Sequence, residues 1–253
     1  MDPASIVGIL IALGAIYGAM MLEGANPTSI LLPGPMLLVF AGTMGVGFAG
    51  GTLKDTIRAY AQIPKTFMAK APVLDATIDY IVSLSETARR NGMLSLEETA
   101  RTIEDPFLRE GIQSAIDGTD PDDLREILED KIRSKRTADR VLSKYFQDMG
   151  GYAPTIGIVG TVISLVHVLE QLSDPSSLGH AIAAAFVATL WGILSANVIW
   201  LPISARIRRI SDLELQAMEV TLEGVLAVQS GANPRLVGER LRSMVDVKPS
   251  DSK

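Results

Sequence analysis

The sequence predicts an all-α, polytopic membrane protein with four transmembrane helices and a helical cytoplasmic domain. Three observations lead there. Four stretches of the 253-residue chain contain no Asp, Glu, Lys or Arg: Pro3 to Leu22, Gly24 to Leu53, Met149 to Leu169 and Pro175 to Ala205. Each is long enough for a hydrocarbon layer about 30 Å thick. Hydrophobic residues make up 47% of the chain and charged residues 21%, with a mean hydropathy of +0.27, which is more apolar than a compact soluble domain. Finally, all 23 basic residues lie between Lys54 and Lys144 or from Arg206 onward. The positive-inside rule therefore assigns the middle segment, the tail and both termini to the cytoplasm.

The elements follow in order. The first stretch has no basic leader and no small-residue cleavage site before polar sequence, so it reads as a retained span. In the second, Pro27 and the triplet Pro33, Gly34, Pro35 move the expected helix start to near Pro35, where a first-turn proline costs no hydrogen bond. Lys54 to Ile63 is expected to prolong that span until Pro64. Pro72 restarts the chain as a helix carrying Val73, Ile78, Ile81, Val82 and Leu84 near helical spacing, closed by Gly92. Ser95, Leu96, Glu97, Glu98 matches a capping box, in which hydroxyl and carboxylate satisfy free amides at a helix start. Asp120, Pro121, Asp122, Asp123 opens a long charged helix through Ile127, Ile132, Val141 and Phe146, which runs toward the third span at Gly150 and Gly151. After the fourth span, Arg206 to Val228 keeps helical periodicity, and Gly231, Asn233, Pro234 form a turn before a last short helix. The expected organisation is a transmembrane pair over 1–53, a cytoplasmic segment over 54–150, a second pair over 151–205 and a cytoplasmic tail over 206–253. The outer links, Glu23 to Thr28 and Glu170 to Gly179, are too short to fold into a receptor for an external ligand.

Composition excludes much chemistry. There is no Cys and there are two histidines, His167 and His180, so a disulfide framework, a thiolate metal site, a cysteine nucleophile and an imidazole zinc site drop out. The net charge is −6, and no basic patch suits a nucleic acid backbone. Small residues recur every four positions at Gly14 and Gly18, Gly47 and Gly51, Gly160 and Ser164, and Ala184, Ala188, Gly192, Ala196. Such faces let helices approach closely in lipid, within one chain or between copies. Ion carriers keep a costly ionisable group inside the membrane, and the four stretches contain no acid or base that could serve. Glu23 and Glu170 sit at span ends, and His167 reads as a hydrogen-bonded helix histidine. The hydroxyls of Thr161, Ser164 and Thr189 either bond back to their own helix or line a wet path. Such a chain can shape a channel but not carry the ion alone.

The run Ala185, Phe186, Val187, Ala188, Thr189, Leu190, Trp191, Gly192, Ile193, Leu194, with Pro202 eight positions later, resembles the fourth-span signature of the MotA/PomA flagellar stator subunits. Gly150 to Ser164 resembles that family's third span and Ala88 to Glu98 its charged cytoplasmic stretch. The resemblance implies an ion-driven stator subunit of the inner membrane, five copies of which ring a dimer of a MotB-type partner supplying the ion-binding aspartate. It implies no cofactor beyond the transported proton or sodium ion, between which the sequence does not choose. By position, Arg89 and Glu97, with Arg90 and Glu98 beside them, match charged residues acting on the rotor's switch protein. Pro154 and Pro202 match prolines that couple ion passage to cytoplasmic movement, and Thr161 and Thr189 match positions facing the partner's aspartate. Some members carry an acid where this chain has Gly151, which passes any cation-guiding role to Asp148. The other reading is an ExbB or TolQ type energy-transducing subunit serving outer-membrane processes. Those relatives have three spans, and the pair Ile6 to Leu22 and Met36 to Leu53 favours the stator.

Overall fold

The computed structural model describes residues 4–70, 72–170 and 175–245, and all regular structure among them is helical. Residues 171–174 of the second outer link and 246–253 of the tail lie outside the described residues. The chain forms two compact units, one built from Met1–Lys70 and Asp139–Arg209, the other from Ala71–Ala138 and Ile210–Lys253.

In the first unit, α1 (Ala4–Leu22) and α2 (Pro33–Ala49) are joined by a single tight turn at Pro27–Ile30, capped by the Asn26 side chain, which accepts from the Thr28 amide at 3.0 Å. The helix begins at Pro33 and not near Pro35, because both prolines fit the first turn, where no amide needs a partner. The expected prolongation past Lys54 is also corrected. α2 stops at Ala49, and a separate α3 (Leu53–Met68) starts where the Thr52 hydroxyl accepts from the Asp55 amide at 3.1 Å. Gly50 and Gly51 favour the break, and Pro64 is carried inside α3 instead of ending it.

The remaining helices of this unit come from two long elements, α7 (Pro121–Glu170) and α8 (Pro175–Ser195), and from the start of α9 (Leu201–Gln229). Two helices, Pro121–Glu170 and Leu178–Gln229, are long and apolar enough to cross a membrane, and shorter apolar helices cover Val7–Leu22 and Pro33–Ala49. Much of this apolar surface faces outward: Leu10, Ile11, Val162, Ile163, Leu169 and Phe186 are all exposed. Inside, Tyr60, Tyr145 and Phe146 meet edge to face at 5.3–5.9 Å, next to buried Met149, Trp200 and Ile207.

The second unit encloses a core of Ile78, Ile81, Leu96, Ile112, Leu128 and Val225. Its elements are α4 (Leu74–Asn91), α5 (Glu97–Thr102), α6 (Pro106–Ile116), the first part of α7, the later part of α9, and α10 (Pro234–Ser243). Asp120 opens α7 by accepting from the Asp122 amide at 2.9 Å, as its motif predicts. Gly92, with φ +84°, ends α4, a left-handed conformation that glycine takes without strain. The capping box does not form. Ser95 sits in a tight turn over Met93–Leu96 and donates to the Gly92 carbonyl at 2.6 Å, so its hydroxyl is engaged upstream of α5.

Candidate functional site

The joint of α7 and α8 is built on absent side chains. A Cβ at Gly157 would meet the Ala188 carbonyl oxygen at 2.8 Å, and one at Gly192 would meet the Ala153 carbonyl oxygen at 2.8 Å. A Cβ at Gly160 would strike the Ala188 methyl at 2.7 Å. The backbones therefore cross in contact, as small residues allow. That approach brings the Thr161 and Thr189 hydroxyls into direct hydrogen-bond contact, and Thr161 also reaches the carbonyls of Gly157 at 3.1 Å and Ala185 at 3.2 Å. Both threonines are half-buried. With no Asp, Glu, Lys or Arg in either apolar stretch, the pair presents hydroxyl dipoles and no fixed charge.

The small faces divide by use. Gly47 packs against Tyr145 and Met149, and Gly160 and Gly192 pack as just described, whereas Cβ atoms at Gly14 and Gly18 would meet nothing within 4 Å among the described residues. Ser164 and His167 do not join the threonine pair: His167 lies 3.7 Å from Glu170 on its own helix. Asp148 is held by Lys144 at 2.7 Å, one turn back, so the carboxylate named as a substitute for an acid at Gly151 is already matched by a cation.

The two prolines stand in different backbone settings, and Pro154 is not at a helix start. It lies deep inside α7, which runs unbroken through Gly150 and Gly151, and the Leu201 side chain fills the space beside Gly150. Pro202 follows a wide π-type turn over Ala196–Trp200, in which the Leu201 amide donates to the Ala196 carbonyl five residues back. A proline ring clashes with the carbonyl four positions before it, here Val198, and the extra residue in the turn relieves that clash. The sequence reading named Pro202 and missed the turn, whose only signal was the proline itself.

In the second unit Arg89 and Arg90 close α4, where their charge suits the helix C-terminus, and Glu97 and Glu98 open α5, where theirs suits the N-terminus. All four are exposed. Glu97 pairs with Arg101 at 2.9 Å, while Arg89, Arg90 and Glu98 form no ion pair among the described residues. A different charged cluster escaped the sequence reading. Glu223, largely buried, accepts from Arg125 at 2.8 Å and from Arg240 at 2.5 Å. Hydrogen bonding to Glu223 raises the Arg125 pKa further above its already high range. Arg125 comes from α7, 98 residues before Glu223, and Arg240 from α10, across the turn that ends α9, so helical spacing alone gave no signal.

A glycine-jointed apolar pair with an uncharged polar contact, in a chain that also holds a charged helical unit with its own core, is the build of a channel or transducer. Residues 99–220 match the model of the MotA/TolQ/ExbB proton channel family. Motility protein A of Bacillus subtilis is 31% identical over 253 residues, covering 98% of this chain and 92% of the relative. Among solved structures, that of C. jejuni MotAB matches with a TM-score of 0.93 at 26% identity, covering 98% of each chain. The flagellar MotAB stator complex from Bacillus subtilis matches with a TM-score of 0.88 at 31% identity, covering 94% of each. The chain belongs to the MotA/TolQ/ExbB proton channel family.

Proposed function

We propose that this chain, a stator subunit of the flagellar motor, shapes an ion path whose titrating carboxylate comes from a MotB-type partner. The observation that carries the reading is the Thr161–Thr189 hydroxyl contact between apolar stretches that hold no Asp, Glu, Lys or Arg. Hydroxyls can line a wet path, but relaying a proton takes a group that titrates, and ion carriers keep such a costly ionisable group in the membrane for function. That the structural relatives are MotAB complexes supports such a partner.

In this reading four spans cross the inner membrane, with both termini in the cytoplasm. At 1.5 Å per residue, α1 and α2 rise about 28 and 26 Å, close to the hydrocarbon thickness. Five copies ring a partner dimer; a proton or sodium ion neutralises the partner's aspartate beside Thr161 and Thr189, and the ring steps. One elementary charge crossing 100 mV releases about 2.3 kcal/mol, several times thermal energy, enough to bias a step. Pro154 and Pro202 let the helices yield during the step. Arg89, Arg90, Glu97 and Glu98 pass torque to the rotor's switch protein as solvent-facing charges. The test is the double reversal Arg89→Glu with Glu97→Lys. Loss of swimming with unchanged membrane levels is expected, partly restored by compensating reversals on the rotor; normal swimming removes these residues from torque transfer.

A further inference from the structure

We propose that the first unit holds a site for one anionic phospholipid of the cytoplasmic leaflet, in the groove between α1 and the wide turn before Pro202. The inference rests on the membrane-spanning reading above and adds a ligand to it. The groove has a volume of ≈ 420 Å³, within the range of pockets that hold small ligands. Gly8, Ile9 and Ala12 form one wall, Val198, Pro202 and Ala205 the other, and Arg206 and Arg209 stand at one end.

Two properties select the occupant. The first is shape and polarity along the groove: apart from Asn197, whose amide donates to the Ile193 carbonyl, both walls are apolar, and Gly8 faces open space in which a Cβ would meet nothing within 4 Å. An acyl chain fits such a trough, while a free anion gains nothing from it. The second is charge. Of the two guanidinium groups in the lining, that of Arg209 is exposed and supplies the charge. Arg206, half-buried, directly follows Ala205, the last residue of the uncharged stretch, and Arg209, exposed, lies about one turn beyond it. Arginines at that depth, on the side that carries every basic residue, meet the headgroup layer, where anionic lipids concentrate. A phosphate seated on Arg209 leaves the lipid's chains to run along Gly8 and Ala12 toward Val198. The lipid would lie against the turn that precedes Pro202 and brace it.

The experiment uses the full chain with its partner, extracted from membranes and titrated with phosphatidylglycerol or with phosphatidylcholine of the same acyl chains. Lipids retained per complex are read by native mass spectrometry. Phosphatidylglycerol should be retained in preference, and excess inorganic phosphate should not displace it. Arg209→Gln should weaken that retention about fivefold, the worth of one basic residue at an anionic surface, while Arg209→Lys keeps most of it. Gly8→Leu, whose Cβ meets no neighbour within 4 Å and whose side chain enters the trough, should reduce retention of both lipids. Equal retention of the two lipids by the unaltered complex, displacement by phosphate, or retention unchanged in both Arg209→Gln and Gly8→Leu overturns the site. Alkaline extraction of the same membranes separates the two claims. A chain that washes off contradicts the spanning arrangement as a whole; a chain that stays embedded yet shows no headgroup preference contradicts the lipid site alone.

Discussion

At the scale of single residues, a hydrogen atom in place of a methyl decides whether α7 and α8 can touch. Gly157→Ala puts a carbon 2.8 Å from the Ala188 carbonyl oxygen, a backbone atom with nowhere to move. Overpacking of this kind costs about 1–3 kcal/mol, so a lower thermal unfolding midpoint of the purified protein is expected, and the Thr161–Thr189 contact should be lost with it. Charged residues sort by burial. Glu223→Gln leaves Arg125 and Arg240 without their shared carboxylate and should cost about 1–3 kcal/mol, the range for hydrogen bonds to charged groups. Glu97→Gln, which removes only an exposed pair one helical turn apart, should leave the melting temperature unchanged. A sequence shows Gly192 and Thr189 as members of a recurring pattern, but not that Gly157 is the surface Gly192 meets. That partnership depends on where two helices cross, which no local spacing encodes.

At the scale of elements, helix identity was legible and helix boundaries less so. Asp120, Gly92 and Asn233 each acted as their chemistry dictates, because a cap or a positive φ is satisfied locally. Where two local rules competed, the sequence did not show the winner: Ser95 bonded backward to Gly92 instead of capping α5, and Gly50 and Gly51 broke a helix that Pro64 was expected to end. A wide turn precedes Pro202, whereas α7 shows no extra residue at Pro154. Pro202→Ala removes the reason for that turn and should let regular helix form, lowering swimming speed at normal membrane levels; Pro154→Ala should do less. α3 carries a pH signature. Burial, and then the nearby Tyr145 hydroxyl, push the Tyr60 phenol well above its usual 10.0. The folded state thus resists losing that proton, so its contribution is intact below about pH 10 and is lost as pH rises toward the folded value. Stability of the purified protein should be flat from about pH 7 to 9 and fall above 10, less steeply in Tyr60→Phe.

At the scale of the whole molecule, the division of labour is visible in charge. The stretches that furnish the apolar helix pair contain no Asp, Glu, Lys or Arg, whereas the second unit is laced with ion pairs around its own core. The helices α7 and α9 each contribute residues to both units, so a displacement at Thr161 or Pro202 belongs to the same helices that carry Arg125 and Glu223. An element so poor in charge can guide an ion but cannot bind and release it by titration. The decisive measurement is ion flux into vesicles holding a set membrane potential, made with this chain alone, with its partner, and with the partner's membrane aspartate changed to asparagine. Flux is expected only when chain and unaltered partner are both present. Robust flux from this chain alone would contradict a borrowed carboxylate outright.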